Sequence, residues 1–418
     1  MHKTSIMLAA SALFLILPGV RVHAQTFTTL YTFTGGSDGG EPSAGMIFDS
    51  LGNLYGLTQG NATGFGTVFE MSPSSGGGMT LNTLYTFQGG ADGVSPEGSL
   101  VFDTAGNLYG TTVQGGSNAC NFGCGTVFEL SPNGSSGWQK TEIYQFHGGT
   151  DGENPASGVV IDGAGNLYGA TEFGGGPCSN IAPGCGTVFE LSPITGGWTE
   201  TVLHRFGTGH VNNTGFSTPA GGIVRDASGN LYGTVAYGGL SGCGGAFELS
   251  SGTGGWSLQL LHAFKCGSDG AYPQGTLVFD GTGHIYGTTV GGGAFKDGTV
   301  YVLTPRPGKG WESRIIHNFK GADGWAPFAG ITLDAAGNVY GTTGYGGGSK
   351  NCANGCGVAY ELTATSSSSW TYSTLHVFTL TDGRAPSSLV LDGAGDLFGI
   401  TVLGGADNVG TVFEITPN

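Results

Sequence analysis

An all-β fold, a seven-bladed β-propeller with four antiparallel strands per blade, is predicted by three observations on this 418-residue sequence. An aspartate followed by Gly-Asn-Leu-Tyr-Gly or a close variant recurs seven times, at Asp49 to Gly56, Asp103 to Gly110, Asp162 to Gly169, Asp226 to Gly233, Asp280 to Gly287, Asp334 to Gly341 and Asp392 to Gly399. The first glycines of successive copies lie 54 to 64 residues apart, a spacing that means an array of similar units. Each unit holds four short apolar runs, and one unit is divided between the two ends of the chain.

The second unit shows the four runs. Ser99 to Asp103 (strand A) leads through a tight turn to Asn107 to Thr112 (B); a longer loop then reaches Gly125 to Leu130 (C), and Trp138 to Phe146 (D) closes the unit. These runs are rich in Val, Leu, Ile, Thr, Tyr and Phe and are bounded by Gly, Asn, Asp, Ser or Pro. Those are strand signals, and no helical period competes with them. Between A and B, the Asp can hydrogen-bond the following backbone while Gly and Asn tolerate positive φ, so the segment is a structural turn. It lacks the additional carboxylates at alternate positions of a calcium loop.

The ends close the ring. The last unit supplies A (Ser388 to Asp392), B (Leu397 to Thr401) and C (Gly410 to Ile415), while Gln25 to Phe33 aligns with the D strand Met79 to Phe87. An open solenoid has no use for such a division. A ring does, because the first strand completes the last blade and removes a free edge. On strand D, Trp138, Trp198, Trp256, Trp311 and Trp370 share one phase, and Phe87, Phe146, Phe206, Phe264, Phe319 and Phe378 stand eight residues after each Trp or its Met79 counterpart. Recurrence in nearly every blade points to packing between blades. Tyr31, Tyr85, Tyr144, His204, His262, His317 and His376 share a further phase; one per blade on outer strands, the histidines are too far apart to share an ion and are expected to be structural.

The first 24 residues read as a secretory signal: Lys3, an apolar stretch from Ser5 to Leu17, Pro18, and a small-residue cleavage site at Val22-His23-Ala24. The apolar run is too short for a membrane span. Residues 25–418 are then expected to form a single exported propeller domain, secreted, extracellular or periplasmic. Without Lys3 and Arg21, 11 basic residues face 29 acidic ones, a net charge of −18 with His neutral. This argues against nucleic acid and anionic membranes, which are bound through Lys and Arg. A monomer is expected.

Eight cysteines fit an oxidising compartment. Cys120 and Cys124, Cys178 and Cys185, and Cys352 and Cys356 are close pairs in Gly-rich loops and suggest local disulfides. Cys243 and Cys266, placed on the same face, are expected to form a fourth. No metal is expected at these pairs, because each offers two ligands with no neighbouring His.

The run Leu-Tyr-Gly-Thr-Thr (108–112), Gly-Gly (115–116) and Gly-Thr-Val-Phe-Glu-Leu (125–130) resembles the bacterial GloVer tandem repeat, named for its Gloeobacter and Verrucomicrobia carriers. The resemblance spans essentially the whole mature chain. It implies an exported, surface or extracellular repeat protein with no established activity, and it transfers no catalytic residues. Some members carry a C-terminal sorting anchor; this sequence departs from that pattern, ending at Asn418, and leaves surface retention open.

Function is expected on the face that carries the D-to-A and B-to-C loops, because stapled variable loops on a rigid scaffold are where binding resides. Two candidate sets lie there. The D-to-A loop motif Gly-x-Asp-Gly-x-x-Pro places Asp38, Asp92, Asp151, Asp269, Asp323 and Asp382 near the start of the innermost strands. They form either a ring for a divalent cation or basic ligand around the funnel, or six structural turns. The fourth blade departs from the pattern between Gly207 and Pro219, and Arg225 replaces an apolar residue on its strand A. His210, Asn212, Asn213, Phe216 and Arg225 are therefore candidate ligand-binding residues, with Arg225 expected to meet one of the aspartates. No nucleophile elbow, His-Glu-x-x-His or phosphate loop occurs. The expected function is a non-catalytic scaffold that binds a glycan or protein. The alternative is a lyase, lactonase or glycoside hydrolase acting at the funnel, with a divalent cation as a possible cofactor.

Overall fold

The computed structural model describes residues 25–60, 64–74, 78–134, 137–178, 184–207, 215, 217–366 and 369–417. They form a seven-bladed β-propeller of four-stranded antiparallel blades. Blade 1 runs from the axis outward through Pro42–Phe48, Leu54–Thr58, Thr67–Pro73 and Met79–Thr86. Blade 7 takes strands A to C from Arg384–Leu391, Leu397–Leu403 and Thr411–Thr416 and its outer strand from Thr26–Thr32. The closing strand pairs antiparallel with strand C, from Thr26 opposite Thr416 to Thr32 opposite Thr411.

The recurrent signature is a hydrogen-bonded device. Asp49 Oδ1 accepts from the backbone N–H of Leu51 and Asn53 at 2.8 and 2.9 Å, and Oδ2 accepts from the Asn53 amide at 2.8 Å and the Tyr55 hydroxyl at 3.2 Å. The same four bonds recur at Asp103, where one carboxylate again organises the turn and orients the tyrosine. Burial alone would raise the Asp49 pKa; the hydrogen bonds from Asn53, Leu51 and Tyr55 outweigh it and hold the carboxyl below its usual range. The oriented tyrosine then receives the next blade's tryptophan, as in Tyr55–Trp138 at 6.4 Å and Tyr109–Trp198 at 6.2 Å between ring centroids. The glycine that ends Leu-Tyr-Gly lies under the strand C aromatic ring: a Cβ on Gly169 would come within 2.5 Å of Phe189, a side chain with no exposed surface.

A second aromatic series locks neighbouring blades. Phe33–Phe69, Phe87–Phe128, Phe146–Phe189, Phe206–Phe247, Phe264–Tyr301, Phe319–Tyr360 and Phe378–Phe413 meet edge-on at 5.0 to 5.4 Å. In each pair a residue just after strand D of one blade meets strand C of the next, the edge-to-face geometry that ring quadrupoles favour.

One outer-strand seat, two residues after the tryptophan phase, is filled differently from blade to blade. It holds Lys140 against Asp92, Tyr372 stacked on His317 at 4.6 Å, and Phe27 stacked on His376 at 3.6 Å. In blade 3 it holds Glu200 beside Asp151, with Glu200 Oε1 and Asp151 Oδ1 both buried and lacking hydrogen-bond partners. Burial, then the Asp151 charge, push the Glu200 pKa up to about 7. A carboxyl whose pKa is raised on folding binds more protons in the native state than in the unfolded chain, so its contribution to stability declines as pH rises from about 4.5 through about 7. Glu200→Gln is therefore expected to stabilise the protein by roughly 1–2 kcal/mol at pH 8 and to do little at pH 4. Thermal melting of both proteins across that range checks it; a gain that does not vary with pH would count against this origin.

Candidate functional site

The axis of the ring opens into a central cavity of about 890 Å³. All seven blades line it, largely through the small residues at the start of strand A, such as Ala44, Gly45, Ser99, Ser157, Gly222, Thr276, Gly330 and Ser388. Strand A is irregular where it borders the cavity. Its register with strand B shifts between Ser43 and Ile47, between Glu97 and Val101, and between Pro386 and Leu389. In blade 4 it is divided into Ser217–Pro219 and Val224–Arg225. Such bulges re-aim side chains, here toward the axis.

The cavity mouth is built on a repeated strained residue. Just before the strand A proline, Glu41, Ser95, Asn154, Thr218, Tyr272, Ala326 and Ala385 all adopt φ between 53° and 61°, a left-handed conformation uncommon for residues with a Cβ. Each donates its N–H to a B-to-C loop carbonyl of the preceding blade at 2.7 to 3.0 Å. In four blades that carbonyl belongs to a disulfide-bonded cysteine: Cys124, Cys185, Cys243 or Cys356. The disulfides Cys120–Cys124, Cys178–Cys185, Cys243–Cys266 and Cys352–Cys356 all form as the sequence predicts, and no described cysteine is free. They stiffen the loops on which the cavity mouth hangs.

The residue that follows strand B is held by the same device. Gln59, Glu172, Val290 and Gly344 donate their N–H to the carbonyls of Glu41, Asn154, Tyr272 and Ala326 at 3.0 to 3.1 Å. Glu172 thereby reaches the cavity wall from blade 3, where Glu97 of blade 2 also stands. Both are half-buried. Burial, then the charge of Glu172, push the Glu97 pKa up to about 7, while the Gln59 amide, hydrogen-bonded to Glu97, pulls the other way. Burial also raises the Glu172 pKa. Among the described residues that line the cavity there is no lysine or arginine.

Aromatic rings share the mouth with these carboxyls. Phe173, Tyr237 and Phe328 line the cavity from blades 3, 4 and 6. Tyr237, Phe328 and Tyr272 expose 43%, 43% and 38% of their surface, large values for rings in an otherwise well-buried fold. Tyr237 and Tyr272 are 5.4 Å apart, and Phe328 meets Tyr345 at 6.0 Å, its ring lying over Gly344. The outer loops of this face add the exposed apolar tips Phe65, Phe122, Leu240 and Phe295.

None of the six loop aspartates lines this cavity. Each turns back to the Tyr or His of the strand D that precedes it: Tyr31–Asp38 at 3.1 Å, Tyr85–Asp92 at 2.8 Å, Tyr144–Asp151 at 3.2 Å, His262–Asp269 at 3.1 Å, His317–Asp323 at 3.4 Å and His376–Asp382 at 3.1 Å. Each carboxylate also accepts a loop N–H, for example Thr34 on Asp38 and Gln88 on Asp92. The aspartates and the Tyr/His series are thus partners of one another, and the geometry is that of the turn, not of a funnel ring. His204 belongs to the one blade whose following loop lacks the aspartate. Among the described residues no three His, Cys, Asp or Glu side chains gather as metal ligands would.

Arg225 does not reach an aspartate of that series. It is exposed, at the far end of strand A next to the A-to-B turn, with its guanidinium 5.8 Å from the Tyr168 ring centre. His210, Asn212, Asn213 and Phe216 lie outside the described residues. Glu97, Glu172, Phe173, Tyr237, Tyr272 and Phe328 were not singled out by the sequence reading. A signal existed, since Glu97 and Phe328 stand where other blades carry Ser43, Ala156, Ala220 or Ser387, but it takes the bulge to show that this position faces the axis.

The Gloeobacter/Verrucomicrobia repeat matches the chain twice, over residues 19–224 and 218–418. The chain belongs to this family. No curated protein matches this family member's sequence. Its fold is similar to that of an ulvan lyase, a polysaccharide lyase, at 12% identity and a TM-score of 0.56, covering 90% of this chain and 93% of the lyase. It is also similar to PorZ, a bacterial surface component of the type-IX secretion system of Porphyromonas gingivalis, at 15% identity and a TM-score of 0.51, over 90% of this chain and 46% of PorZ. The aldose sugar dehydrogenase of Streptomyces coelicolor matches at 13% identity and a TM-score of 0.46, over 94% and 99% of the two chains. At these identities the likeness is one of fold.

Proposed function

We propose that this Gloeobacter/Verrucomicrobia repeat protein is an exported, non-catalytic propeller that binds a carbohydrate in its central cavity. The observation that carries this reading is the composition of the mouth, where the exposed rings of Tyr237 and Phe328 line the cavity together with hydroxyls and the Glu97–Glu172 pair, and exposed Tyr272 stands beside Tyr237. Aromatic faces take the apolar faces of sugar rings, while a few placed polar groups fix orientation. With two acidic side chains and, among the described lining residues, no lysine or arginine, the wall favours a neutral or amine-bearing saccharide over a uronate or sulfated one, which finds no cationic partner there. Export is supported by the four disulfides, which suit an oxidising compartment. Among the described residues no helix is long and apolar enough to cross a membrane.

A glycan array followed by calorimetry on the purified protein tests this. Tyr237→Ala is expected to weaken the best neutral ligand about tenfold or more, as removal of a central aromatic anchor does. Preferential binding of polyuronates, or neutral-sugar binding indifferent to Tyr237→Ala, would sink it.

One observation favours cleavage as a second reading. Glu97 and Glu172 share a wall, and Glu97 is pushed up to about 7, so one carboxyl can hold a proton while its neighbour is ionised. Product analysis on the bound saccharide separates the readings. Release of shortened or unsaturated products that stops in Glu97→Gln, with binding retained, would establish cleavage.

A further inference from the structure

The aromatic wall does not stop at the cavity. From Phe328 it continues through Tyr345, at 6.0 Å, to Trp325, at 5.1 Å from Tyr345. Trp325 and Tyr345 are fixed by reciprocal backbone hydrogen bonds, Trp325 N–H to the Tyr345 carbonyl at 2.9 Å and the reverse at 3.1 Å. Neither ring is fully buried.

Trp325 in turn lines a second pocket, of about 520 Å³, on the same face. Its walls come from the loop of blade 6 stapled by Cys352–Cys356, including Ser349, Lys350 and Asn354, with Asp297 from blade 5. Gly346 and Gly355 border it closely: a Cβ on Gly355 would fall 2.0 Å from the Gly346 carbonyl oxygen, so the wall is a fixed, side-chain-free contact. With Asp297, Ser349, Lys350 and Asn354 among its lining residues, the pocket adds hydrogen-bonding partners to the aromatic track, beside the apolar Ala322, Cys352 and Ala353. Blade 5 supplies Gly291 where blade 6 has Tyr345, and Ala271 where blade 6 has Trp325, so it lacks this extension.

We infer that the site takes an extended oligosaccharide, whose end occupies the central cavity and whose following units run over Phe328, Tyr345 and Trp325 to the pocket beside the Cys352–Cys356 loop. The inference rests on the carbohydrate reading above and adds the length of the ligand and its direction across the face. An aromatic row joining two pockets that both carry hydrogen-bonding residues suits a chain of sugar rings, each with an apolar face to stack and a hydroxyl rim to hydrogen-bond. Linking units that occupy both pockets adds their contributions without a second loss of translational freedom.

The test is calorimetric titration of the intact, oxidised protein with β-glucan, xylan and mannan oligosaccharides from one to six units. For the series that binds, affinity is expected to rise about tenfold or more once the chain outgrows the central cavity. Trp325→Ala is expected to abolish that rise and leave the shortest ligand unchanged, while Trp325→Phe retains most of it. Tyr237→Ala weakens every length alike. Length-independent binding that still depends on Tyr237 overturns the extended site and leaves the carbohydrate reading standing. Equal loss at all lengths in Trp325→Ala overturns it as well. Absence of binding to any saccharide overturns both.

Discussion

Replacing Lys140 with alanine is expected to destabilise the propeller by about 3–5 kcal/mol, the cost of removing one partner from a buried ion pair. The Lys140 side chain is only 5% exposed, and its ammonium donates to Asp92 Oδ1 at 2.9 Å, the Asp92 carbonyl at 2.7 Å and Glu142 Oε2 at 2.8 Å. It also stands 5.5 Å from the Phe87 ring centre. Without it two half-buried carboxylates face each other at the seam between blades 1 and 2. Burial already raises the Glu142 pKa, and Lys140 is what restrains it. The deficit is therefore expected to shrink under mildly acidic conditions, where Glu142 takes up a proton. Urea denaturation at pH 5 and pH 8 measures both effects. A loss below about 1 kcal/mol at pH 8 would place Lys140 among ordinary surface charges.

Deletion of residues 26–33 is expected to abolish cooperative folding of the ring. The deletion exposes the edge of strand C in blade 7, removes every pairing from Thr26–Thr416 to Thr32–Thr411, and takes out Phe33, a side chain with no exposed surface that packs on Phe69 at 5.4 Å. Truncating one buried phenylalanine costs about 3–5 kcal/mol, already comparable with the net stability of many proteins. The open edge also invites pairing between chains. A circular permutant that carries the same segment after residue 418 is expected to fold and to melt within a few degrees of the parent. Cooperative melting of the deletion variant near the parent temperature would show that the closing strand is dispensable.

The fold was legible because its determinants are periodic. Asp49, Asn53 and Tyr55 satisfy one another within a single turn, so their spacing in sequence is already their spacing in space. The same holds for the Trp138 and Phe146 phases of strand D. The disulfides were legible for a related reason, since three pairs are local and the fourth joins two loops that the blade pattern places on one face.

The candidate site was not legible in this way. The loop aspartates recur as regularly as the scaffold and prove to be scaffold, each paired with the Tyr or His of the outer strand seven or so residues earlier. Arg225 was a genuine departure from the repeat but lies at the wrong end of strand A. Glu97 and Phe328 occupy one position of the repeat, Glu172 another and Tyr237 a third, so no single column of the repeat marks the site.

The sequence by itself determined the number of blades, the order of strands, the closure of the ring and the cysteine partners, because each depends on contacts repeated at constant separation. Only the tertiary structure decided which residues share the axis. Glu97 and Glu172 are brought together by the bulge in strand A and by left-handed residues hung on the neighbouring blade, with Phe328 placed by the same geometry. Those are contacts between blades, set by how the ring closes and not by spacing along the chain.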